Sequence, residues 1–63
     1  MRPYYILAVL EHDKWVIGFG DYTRRVVADE KRDCFAGERT KIIKTFDDQS
    51  IIDKQINCLN QVD

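Results

Sequence analysis

Apolar and polar positions divide the chain into five segments. Tyr4-Tyr5-Ile6-Leu7-Ala8-Val9-Leu10 runs without a polar interruption. A continuous run of this length, rich in aromatic and β-branched residues, predicts a strand buried on both faces and therefore central in its sheet. Glu11-His12-Asp13-Lys14 is a polar break of hairpin length. Trp15 to Phe19 predicts the second strand, with Trp15, Ile17 and Phe19 on one face and Val16 and Gly18 on the other. Gly18 and Gly20 bracket its end and predict a bulge or a close backbone approach.

The period then becomes helical. Asp21 or Thr23 offers the short oxygen side chain that caps a first turn, and the helix runs from about Tyr22 to Phe35. Its apolar residues, Tyr22, Val26, Val27, Cys34 and Phe35, are sparse, and Asp29 to Asp33 is wholly charged. Such a narrow stripe predicts a helix that lies lightly on the core. Gly37 is the natural residue to end it. Thr40 to Phe46 predicts a third strand, with Lys41 and Lys44 marking it as an edge. Asp47-Asp48-Gln49-Ser50 places acids at the positive end of a second helix. Ile51, Ile52, Ile56, Leu59 and Val62 give that helix a clear apolar stripe.

These segments predict one α+β domain over residues 1–63, with element order β-β-α-β-α. A short hairpin makes strand two the antiparallel neighbour of strand one. The first helix then returns the chain so that strand three lies on the other side of strand one. The result is a three-stranded antiparallel sheet in order 2-1-3, with both helices expected on one face. That arrangement leaves the other sheet face without cover. An apolar face of this kind marks an interface with a second copy or a partner, unless the side chains of Trp15, Lys41 and Arg39 fold over it.

Length and charge narrow the function. An enclosed cofactor pocket would use up most of the small core that 63 residues can form, so no cofactor is expected. Ten Lys and Arg against eleven Asp and Glu give a net charge of -1, which lacks the basic excess of a dedicated nucleic-acid binder. Cys34 and Cys58 with a single histidine, His12, cannot supply a structural zinc site. The two cysteines are expected to be small buried residues with reduced thiols. No apolar run reaches the roughly 18 residues of a spanning helix, and the N-terminus lacks the pattern of a signal peptide. A soluble cytoplasmic protein without a membrane partner is expected.

Catalytic constellations are missing from the sequence. His12 falls in a turn, with neither pocket nor positioned partner. Asp47, Asp48 and Asp53 suit helix capping and a solvated face better than a metal site. Gly18-Phe19-Gly20 lacks the further glycine and the lysine of a phosphate loop. Ser50 is the single serine. The chain therefore reads as no enzyme, with no catalytic residue and no metal ligand. Tyr4, Tyr5, Trp15, Phe19 and Tyr22 form an aromatic concentration beside Arg24 and Arg25, the usual composition of interface anchors, and also of base-stacking surfaces. Phe19 and one tyrosine are expected in the core. Arg24, Arg25, Lys31 and Arg32 return to one side of the first helix after two turns, with Asp29, Glu30 and Asp33 beside them to repel phosphate.

Tyr4-Tyr5-Ile6-Leu7-Ala8, Trp15 to Arg24, Lys41 to Thr45 and Asp47-Asp48-Gln49 together make the chain resemble short bacteriophage- and prophage-encoded proteins, over most of its length. The resemblance is to the anti-defence and anti-CRISPR-like class and assigns no residue a role. It implies a non-enzymatic interaction module that binds a host defence protein and inhibits it by steric occlusion, expected as a homodimer. The expected contact residues are Tyr4, Ile6 and Trp15 on the open sheet face and Tyr22, Arg24, Arg25, Lys31 and Arg32 on the first helix. The alternative is a small nucleic-acid-binding module that uses the first helix and the third strand.

Overall fold

The computed structural model describes residues 2–61. Its elements are β1 (Pro3–Glu11), β2 (Lys14–Asp21), α1 (Arg24–Cys34), β3 (Thr40–Phe46) and α2 (Gln49–Gln61). The sheet order is β2-β1-β3, and β1 is antiparallel to both neighbours. Element order, strand order and the α+β class agree with the sequence pattern. Val62, the last residue of the expected α2 stripe, lies outside the described residues.

β1 is buried along its centre: Ile6, Leu7, Ala8 and Val9 are each 1% exposed or less. Two paired edge strands alone would leave the faces of these residues in water, so each face needs a layer above it. Leu7 and Val9 cluster with Val27 of α1, and Tyr5, Phe19, Phe35 and Ile42 pack around them. On the opposite face Tyr4, Ile6, Ile17 and Gly20 line one groove with Gln49 and Ile52 of α2. The helices therefore lie on opposite faces of the sheet, and the expectation that both cover one face is corrected. The dimensions agree, since the Cα trace measures 32 × 28 × 12 Å. A strand of this length spans about 30 Å and three strands about 10 Å. The remaining 28 Å matches a helix, a sheet and a helix stacked at about 10 Å per layer.

The physical reason is chain direction and reach. The one-residue bulge between Leu7 and Ala8 twists the end of β2, and Asp21 accepts the Thr23 N–H at 2.8 Å, turning the chain onto the Leu7 face. At the end of β3 the Asp47 N–H is held by the Arg2 carbonyl at 2.9 Å. Asp48 then caps α2 over the Ile6 face, its carboxylate accepting the N–H groups of Ser50 at 2.9 Å and Ile51 at 3.4 Å. An amphipathic stripe specifies that a helix packs on a sheet, and leaves open which side it packs on.

Local signals were met in part. Gly18 is the bulge residue, and Gly20 gives way to the ring of Tyr4: a Cβ there would lie 2.5 Å from the Tyr4 hydroxyl. The hairpin turn places His12 and Asp13 at φ 52 and 64, the left-handed pair that a two-residue hairpin requires. Gly37 does not end α1 in the expected way, because no glycine has positive φ. The helix stops at Cys34 because Phe35 turns into the core, where its ring lies 3.2 Å from a Cβ built on Gly18. Both cysteines are exposed, which corrects the expectation of buried thiols. Cys34 faces Glu30 across one helical turn instead of the sheet, and this partner raises its thiol pKa.

Candidate functional site

α2 changes the first group of expected contact residues. Ile6 is 1% exposed and belongs to the core, so it is not a contact residue. Tyr4 and Trp15 are half-buried on the same face, beneath opposite ends of α2. The open sheet face does not exist.

Trp15 is fixed by its backbone. The Asn60 side-chain amide accepts the Trp15 N–H at 2.7 Å and donates to the Trp15 carbonyl at 3.0 Å. The Lys41 ammonium lies 5.1 Å from the centre of the indole ring. Leu10, Arg39, Lys41 and Leu59 flank the same ring in an open depression. α2 has no basic residue in its last turn, and Arg39, just before β3, and Lys41 of β3 bring cations to its negative end.

Tyr22 sits at the other end of the sheet, in a cluster built from four parts of the chain. Its hydroxyl donates to Asp47, its ring meets Tyr4 edge-on at 4.8 Å between centroids, and the Arg2 guanidinium lies 4.0 Å from its ring centre. The Asp47 hydrogen bond holds the phenol proton in place and raises the Tyr22 pKa. Tyr22 remains 38% exposed, and Val26 and Phe46, close to it in sequence or through Asp47, are 42% and 41% exposed.

Arg24, Arg25, Lys31 and Arg32 are all exposed on α1. At about 100° per residue, Arg24 and Lys31 share one flank and Arg25 and Arg32 share the crest. Glu30 and Asp33 fall on the other flank with Val26. Arg32 pairs with Asp29 at 3.4 Å and Asp33 at 3.0 Å, which lowers the Asp33 pKa through the Arg32 hydrogen bond. Arg24 and Arg25 enter no ion pair among the described residues.

The start of α1 is electrostatically unusual. Arg24 and Arg25 are its first two residues, no acid lies in the first turn, and Thr23 makes no side-chain capping bond. The orphan N–H groups and two guanidinium groups therefore add at the positive end of the helix dipole, where a cation is unfavourable.

The sheet divides the third-strand lysines of the nucleic-acid alternative and leaves one of them on the face of the first helix. Lys41 pairs with Ala8 and points to the α2 face, while Lys44 pairs with Tyr5 on the α1 face. Asn60 and Arg2 had no functional signal in the sequence, and Asp47 reads there as a helix-start acid. Asn60 reads there as a polar flank of the α2 stripe, and its strand contact depends on the side α2 takes. Among the described residues no group of three His, Cys, Asp or Glu is placed to hold a metal ion, and no helix is long and apolar enough to cross a membrane. Comparison with protein-family models, curated proteins and solved structures finds no match to the chain.

Proposed function

We infer that the protein is a non-catalytic interaction module that binds a partner protein through the outer side of α1 and acts by covering the partner's surface. The observation that carries this reading is the placement of Arg24 and Arg25 in an uncapped first helical turn. Cations there work against the helix, and a residue choice that opposes local stability points to a role outside the fold. Tyr22, just before the helix, and Val26, on the flank opposite Arg24, add exposed apolar surface on either side of Arg25, the composition of an anchor with a polar rim. The complementary partner surface is acidic, with an apolar recess. The likeness to phage proteins supplies the rest of the proposal: the partner is a host defence protein in the cytoplasm, and occlusion inhibits it. With a helix on each sheet face a homodimer needs another surface, so the binding unit is a single chain.

The test is the double variant Arg24→Glu, Arg25→Glu. Acids in the first turn suit the dipole, so each change should raise stability by about 0.3–1 kcal/mol. Partners retained from a bacterial lysate by the tagged wild-type chain should be lost by the variant. Retention of the same proteins by the more stable variant rules out α1 as the binding surface.

A further inference from the structure

We propose that the outer edge of β2 is a strand-addition site for an extended segment of a partner polypeptide, seated between β2 and α2. The argument begins at Trp15. Both of its backbone polar groups turn away from β1 to the Asn60 amide, so Leu10–Trp15 is a non-hydrogen-bonded pair of the antiparallel ladder. Alternation along the ladder makes Ala8–Ile17 the same kind of pair, and the N–H and carbonyl of Ile17 also point outward. Past the bulge, Gly20 opposite Ile6 repeats this orientation. The edge thus turns backbone groups outward at Trp15, where Asn60 already bonds them, and at Ile17 and Gly20, where they form a template that an extended chain satisfies.

The side chains suit the same occupant. Ile17 is 44% exposed, and Gly18 and Gly20 place no side chain beside the edge. An open groove of about 490 Å³ runs alongside, lined by Ile17, Ile56, Asp53, Asn57 and Lys14. A strand laid here places one apolar side chain against Ile17 and Ile56 and its polar neighbours toward solvent. One acid and one base on the rim give no preference for a charged peptide. The Asn60 amide makes with Trp15 the pair of bonds that a neighbouring strand residue makes, so the first seat of the edge already holds a peptide-like group. A second copy fits less well. Joined antiparallel across this edge, it would set its own α2 on the same side of the sheet, where the two helices compete for the same groove. The β3 edge is protected by Lys41 and Lys44.

A surface-displayed library of short random peptides tests the assignment, with Trp15 fluorescence as the binding signal. Selected peptides should carry alternating apolar residues. Ile17→Lys should weaken their binding by about tenfold, equivalent to about 1.4 kcal/mol. Ile17→Thr keeps strand propensity and should weaken it less, with circular dichroism reporting that both variants fold. Arg24→Glu with Arg25→Glu should leave it unchanged, which separates this site from the α1 surface. The proposal is overturned by a library that enriches nothing, or by peptides that bind Ile17→Lys as well as wild type. It is also overturned, in favour of a second copy, if the chain alone dimerises on sedimentation and Ile17→Lys abolishes the dimer.

Discussion

Gly18 shows how one missing atom sets the packing. A Cβ there would lie 2.6 Å from Cγ2 of Val9 and 3.2 Å from the Phe35 ring. Val9 is in the core and Phe35 packs against it, so neither gives way easily. Gly18→Ala should cost about 1–3 kcal/mol, the range for overpacking a filled core, read as a lower urea midpoint at unchanged slope. Thr45 is the opposite case. It is 1% exposed and its hydroxyl has no hydrogen-bond partner. Thr45→Val keeps the branched shape and removes a buried polar atom, so stability should rise by about 1 kcal/mol. A lower urea midpoint for Thr45→Val would show that the hydroxyl finds a partner in solution.

The two helix starts form a contrast at the scale of the element. α2 is capped by Asp48, whose carboxylate accepts the Ser50 hydroxyl at 2.8 Å in addition to the two backbone N–H groups. These bonds, the Ser50 side chain first, hold the Asp48 pKa below its ordinary value. A lowered folded-state pKa contributes stability above the unfolded value of about 3.9 and loses it as pH falls through the folded value. Asp48→Asn keeps a capping side chain and cannot titrate. The wild-type urea midpoint should therefore exceed the variant's above that window and converge with it in acid; parallel midpoints across the window would refute the linkage. α1 begins on two arginines without a side-chain cap, and that departure from helix electrostatics is what the proposed binding role of its outer side rests on.

For the whole molecule, each sheet face depends on one helix. Ile52 is the buried residue of α2, at 7% exposure. Ile52→Ala should cost about 2–5 kcal/mol. A chain this short has a margin of only a few kcal/mol, so the variant should be largely unfolded, with its circular dichroism lost. A variant that retains native dichroism and gains self-association would show instead that the sheet survives with its α2 face bare.

Much of this was legible in the residues. The unbroken apolar run of β1 identified the central strand, Lys41 and Lys44 an edge, and Asp47-Asp48 a helix start. The placement of the expected contact residues was legible by halves. The α1 arginines, one side of that helix, depend only on helical periodicity and lie where the sequence put them. Tyr4, Ile6 and Trp15 depended on a face being open, and that was a question about distant parts of the chain. Asn60 illustrates the limit: it lies 45 residues from Trp15, and nothing local links them.

The sequence by itself determined the elements, their order and the burial of β1, because periodicity and run length act within a few residues. Only the tertiary structure decided that α2 crosses to the face opposite α1. An amphipathic stripe is satisfied by either side of an apolar sheet. The choice falls to the turn at Asp47, the cap at Asp48 and the clamp of Asn60 on β2. The double apolarity of β1, which in the sequence suggested a second chain, is met inside this one by a helix on each side.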